Sequence, residues 1–72
     1  MRNNNNKNNL RLKIKRSRYI RKRIKVLKEA INTYENMSYM SLSYGDIEYA
    51  NLCDKKIVDM YQEIDRLKRE QR

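Results

Sequence analysis

Two sets of side chains in this 72-residue chain have the types and spacing to do chemistry. The first is "RLKIKRSRYIRKRIKVLK", residues 11–28, with ten basic side chains and no acidic one. Cations at that density neutralise phosphates or an acidic protein face, releasing counterions as they do. Arg11, Lys13, Lys15, Arg16, Arg18, Arg21, Lys22 and Lys25 are the candidate contacts, and Tyr19 is available to stack on a base. A basic block can equally be the solvated back of a helix. The second set is Asn51 and Asp54, an amide and a carboxylate three residues apart, which a helix places on one face. Polar residues at such positions also simply flank an apolar seam. Cys53, between them, would need a base to act as a nucleophile; the chain has no His, so the thiol reads as a small seam residue.

The elements that position these groups must be few. A chain of this length allows one small domain, and domains below about 70–80 residues need disulfides, metals, regular helix packing or a partner. One Cys, no His, no Pro and one Gly exclude an internal disulfide and an ordinary zinc site. Regular helices remain, with a homodimer as one way to complete the core. The single Cys suits a reducing, cytoplasmic setting, and the apolar runs are too short for a membrane span. Charge is unevenly spread. Residues 1–28 hold twelve Lys or Arg and no Asp or Glu, whereas residues 29–72 hold six basic and nine acidic residues. The N-terminal part should be drawn to something acidic.

Along the chain, "MRNNNNKNNL" has too little apolar content to offset the entropy of ordering it, and residues 1–16 read as a flexible Asn-rich, basic arm. Within it "LRLKIKR" alternates with the period of a strand, although Asn8 or Asn9 could cap a helix, so strand, helix and coil all stay open. From Ser17 the period is helical. Ile20, Ile24, Leu27, Ile31 and Tyr34 are spaced four, three, four and three, predicting a helix over about 17–37. Residues 38–45 break the pattern and read as a loop. Ala50, Cys53, Ile57, Met60, Ile64 and Leu67 repeat at three and four, predicting a second helix over about 46–70. The fold expected is all-α: an antiparallel two-helix hairpin over 17–70, pairing its stripes within one chain or across two.

The segment "YANLCDKKIVDMYQ", residues 49–62, resembles the signature helix of the small aspartyl-phosphate phosphatases of the bacterial sporulation phosphorelay. There L-S-Q-E-L-D is followed by an apolar pair and a Tyr. Tyr49 falls at the first Leu, Ala50 at Ser, Asn51 at Gln, Leu52 at Glu, Cys53 at the second Leu and Asp54 at Asp, the one unchanged residue of S-Q-E-L-D. "DKKIVDMYQ" is similar to the D-K-x-I-V-x-x-Y run of such proteins, and "IKVLKEAIN" to their first helix. Together the similarity covers residues 24–62, with Lys56 standing where an apolar residue is expected.

The resemblance implies a helical hairpin that docks on the receiver domain of a phosphorylated response regulator, promotes hydrolysis of its aspartyl-phosphate and so restrains sporulation. Asp54 and Asn51 would be the catalytic pair, and the Mg²⁺ would be the receiver's own. The loss of Ser, Gln and Glu bears on catalysis more than on fold. The alternative is an accessory protein binding DNA or RNA through residues 11–28, with the stripes used for dimerisation.

Overall fold

The computed structural model describes the backbone of residues 2–71 and the side chains of residues 9–71. It consists of α1, Arg2–Ser43, and α2, Ile47–Glu70, joined by three residues. Contacts order the helices antiparallel: Arg16 meets Glu70, Arg23 meets Glu63, and Ser38 meets Asp54. The result is a rod, 65 × 15 × 13 Å. No helix among the described residues is long and apolar enough to cross a membrane.

The seam is the pair of stripes legible in the sequence. Ile20, Ile24, Leu27 and Ile31 of α1 are buried against Ile64 and Leu67 of α2, with Ile57 and Met60 packed at the margin. The two stripes therefore cover one another within one chain. Burying each aliphatic side chain contributes roughly 1.5–3 kcal/mol, offset by the entropy of ordering the chain. Toward the turn the seam narrows to Ser38, Ser41, Ala50 and Cys53, all buried.

Those serines explain why the loop is shorter than expected, Tyr44–Asp46 in place of 38–45. Ser41 Oγ donates to the Met37 carbonyl at 2.8 Å, Ser43 Oγ to that of Tyr39 at 3.1 Å, and Ser38 Oγ to Asp54. With its hydroxyls satisfied locally, the serine-rich stretch stays helical instead of opening into a turn.

The turn itself is compact because one residue ends α1 and the next begins α2. Gly45 sits at φ 82°, its N–H donating to the Leu42 carbonyl at 3.0 Å while the N–H of Asp46 donates to that of Ser41 at 2.8 Å. This pairing satisfies two carbonyls that the helix end leaves free. Asp46 then caps α2, its carboxylate accepting from the Tyr49 N–H at 3.0 Å, with Glu48 in the first turn and Lys68 and Arg69 in the last. Both ends of α2 thus complement its dipole. A methyl group at Gly45 would meet no atom, so Gly45→Ala is expected to cost about 1–2 kcal/mol through the left-handed backbone alone. Urea unfolding of the two chains measures it; an unchanged midpoint would show that the turn adopts another conformation.

α1 is also longer at its start than the 17–37 predicted, running back to Arg2 through the segment read as an arm. No Gly or Pro interrupts it, and each added residue adds one backbone hydrogen bond. "LRLKIKR" is helical despite its two-residue period, which puts Leu10 and Ile14 on one side of the helix and Leu12 on another, each 45 % exposed or more. α2 reaches back only to the level of Arg16, whose guanidinium meets Glu70 at 2.8 Å. Residues 2–16, read as a flexible arm, are thus part of α1.

Candidate functional site

Asp54 lies on the rim of α2 nearest the turn, where its carboxylate accepts a hydrogen bond from Ser38 Oγ of α1 at 2.8 Å. Ser38 is buried and Asp54 exposed, so a fixed donor holds one carboxylate oxygen while the other side of the group faces solvent. Asn51 is exposed one turn earlier on the same face.

Extending that face by helical spacing gives Ile47, Asn51, Asp54, Val58 and Tyr61, at intervals of four, three, four and three. The three apolar members are each more than half exposed. The polar pair is therefore bracketed by uncovered apolar side chains, an arrangement suited to protein contact with a polar centre. Tyr61 also borders a shallow cleft with Lys28, Ile31, Asn32 and Glu35 of α1. Sequence reading missed Ser38, Ile47 and Val58 as parts of this surface. Their four-and-three spacing with Asn51 and Asp54 was a usable signal for Ile47 and Val58; Ser38 is sixteen residues away and had none.

The basic block, residues 11–28, divides by what its side chains meet. Arg16 and Arg23 lie at the edge of the seam and are taken up by Glu70 at 2.8 Å and Glu63 at 3.3 Å. Glu63 thus meets α1, not Arg66 as its local spacing would suggest, while Asp65 pairs with Arg69 at 2.7 Å within α2. Exposed pairs of this kind contribute about 0–1 kcal/mol each. Arg21 donates to Ser17 Oγ at 3.1 Å, and Lys13 borders a cleft with Ser17, Ile20 and Gln71. Arg11, Lys15, Arg18, Lys22 and Lys25 are exposed, and none forms an ion pair with a described residue.

No family model, curated protein or solved structure matches this chain. The likeness to the phosphorelay phosphatases expected over residues 24–62 thus finds no support in these comparisons. Of those residues, Cys53 is buried in the seam, where the thiol serves packing. Lys56, the departure from an apolar position, places its Nζ 5.5 Å from the centre of the half-buried Tyr34 ring. Its stem can cover the seam edge while the ammonium rests over the ring, so a cation is tolerated there. Leu52, beside Cys53, is exposed.

The two sets of candidates sit at different heights on the rod. Lys25, the candidate cation nearest the turn, precedes Ser38 by thirteen residues, roughly 20 Å along α1 at about 1.5 Å per residue. At physiological ionic strength the screening length is about 8 Å. The cations from Arg11 to Lys25 therefore exert little field on a group bound at Asp54.

Proposed function

We propose that the hairpin docks through the Ile47–Tyr61 face of α2 on the receiver domain of a phosphorylated response regulator and promotes hydrolysis of the aspartyl-phosphate. The observation that carries this reading is the anchored carboxylate: Asp54 held by Ser38, beside Asn51, between exposed apolar side chains. The sequence likeness over residues 24–62, which singled out Asp54 and Asn51, is what names the receiver as the partner. An acyl phosphate is already activated, and the receiver's Mg²⁺ needs no ligand from this chain. What the hairpin supplies is placement of a water in line with phosphorus. In this reading Asp54 accepts a hydrogen bond from that water and Asn51 fixes its orientation. The new P–O bond forms as the bond to the receiver's carboxylate breaks, releasing inorganic phosphate. Loss of phosphorylated receiver would lower the regulator's output and so restrain sporulation.

The test follows radiolabel on a purified receiver. Wild type is expected to speed its loss and Asp54→Ala to return the rate to that of receiver alone. If wild type clears the label no faster than buffer, the reading is wrong.

A further inference from the structure

We infer that α1 carries a second binding site, unrelated to Asp54: a cationic ridge that binds the phosphate backbone of double-stranded nucleic acid. Arg11, Lys15, Arg18, Lys22 and Lys25 are spaced four, three, four and three, the same interval as the buried stripe. Counting 3.6 residues per turn puts them about half a turn round from Ile20, Ile24 and Leu27. They form one straight row on the side of α1 that α2 never covers, roughly 21 Å long at about 1.5 Å per residue. Glu29, four residues past Lys25, closes it.

Three features choose the ligand. The row contains cations alone, without the apolar centre that protein interfaces bury, so an acidic protein face is a poor match. Leu10 and Ile14 share one side of α1 while Leu12 lies on another, so the three make no continuous apolar face to enter a lipid surface. Tyr19 lies off the row, leaving no succession of aromatic rings for unpaired bases to stack on. A linear array of uncompensated charge suits a linear polyanion of high charge density. Duplex DNA presents one negative charge per about 1.7 Å of axis, enough to engage all five cations at once. The contact reads charge and not sequence. It also needs no dimer, since the ridge belongs to one helix.

The experiment is a salt titration of full-length protein binding to a fluorescent 24-base-pair DNA duplex, with three proteins compared. Five phosphate contacts predict a slope of log affinity against log salt near −4.5, about a 500-fold loss between 50 and 200 mM. The first variant converts Arg11, Lys15, Arg18, Lys22 and Lys25 to Gln, a good helix former. Its slope is expected to fall to between 0 and −1, with binding at 100 mM at least 100-fold weaker. The second converts Lys55, Lys56, Arg66, Lys68 and Arg69 of α2 to Gln, removing the same charge elsewhere; it should stay within about threefold of wild type. Circular dichroism confirms that each remains helical. The inference is overturned if wild type fails to bind at 50 mM salt or if both variants lose affinity equally. It is equally overturned by tighter binding to single strands or anionic vesicles than to the duplex.

Discussion

Leu27→Asp is expected to abolish the cooperative unfolding transition and leave a chain of low helicity at 25 °C. Leu27 is 4 % exposed and packs in the cluster of Ile20, Ile24, Ile31, Ile64 and Leu67. A carboxylate there has no partner, and the penalty for an uncompensated buried charge is several kcal/mol. A single small core supplies no more than about 3–5 kcal/mol in all. One substitution thus exceeds what the hairpin holds. Leu27→Ala, which removes contacts without adding charge, should lower stability by about 2–5 kcal/mol and shift the urea midpoint sharply. The neighbouring Val26 is 53 % exposed, and Val26→Asp should change stability by no more than about 0.5 kcal/mol. If the Leu27 and Val26 variants unfold alike, the seam is not what joins the helices.

Legibility in the sequence followed the side chains that keep one chemical character along a stripe. Ile20, Ile24, Leu27 and Ile31 face Ile57, Met60, Ile64 and Leu67 as their spacing predicted, because large aliphatic residues recurring at three and four have one burial solution on a helix. Ser38 and Ser41 continue that spacing and are equally buried, yet composition alone reads them as a loop. A three-residue turn brings the helix axes together, and small residues fit there: Ser38 and Ser41 on α1, Ala50 and Cys53 on α2. The change from Ile to Ser marks a narrowing of the seam, not its end. Partners across the seam were invisible for another reason. Arg23 with Glu63, Arg16 with Glu70 and Ser38 with Asp54 are each set by the register of two helices, which no local spacing encodes.

That register separates the two candidate activities. A guide that steers an acidic receiver toward Asp54 would have to act over roughly twice the screening length, so the ridge and the carboxylate are expected to fail independently. Neutralising the ridge should leave receiver dephosphorylation at physiological salt unchanged, and Asp54 variants should bind DNA as wild type does.

Asp54→Asn should separate the structural from the chemical role of this residue. The amide oxygen of Asn can accept the Ser38 hydroxyl as the carboxylate does, so the tie between the helices survives with a neutral acceptor in place of a charged one. That exchange weakens the bond by about 1 kcal/mol, a small shift in the urea midpoint. The chemical consequence is larger. A neutral amide cannot draw a proton from the attacking water, and positioned proton acceptors contribute about 10²–10⁴-fold to rate. Acceleration of receiver dephosphorylation is therefore expected to fall at least 100-fold, while binding of the phosphorylated receiver, measured by calorimetry, stays within about threefold. Ser38→Ala inverts the pattern: the carboxylate remains but loses its anchor, so stability falls by about 1–2 kcal/mol and the rate falls only severalfold. An Asp54→Asn protein with full activity would assign the carboxylate to holding α1 and α2 together and nothing more.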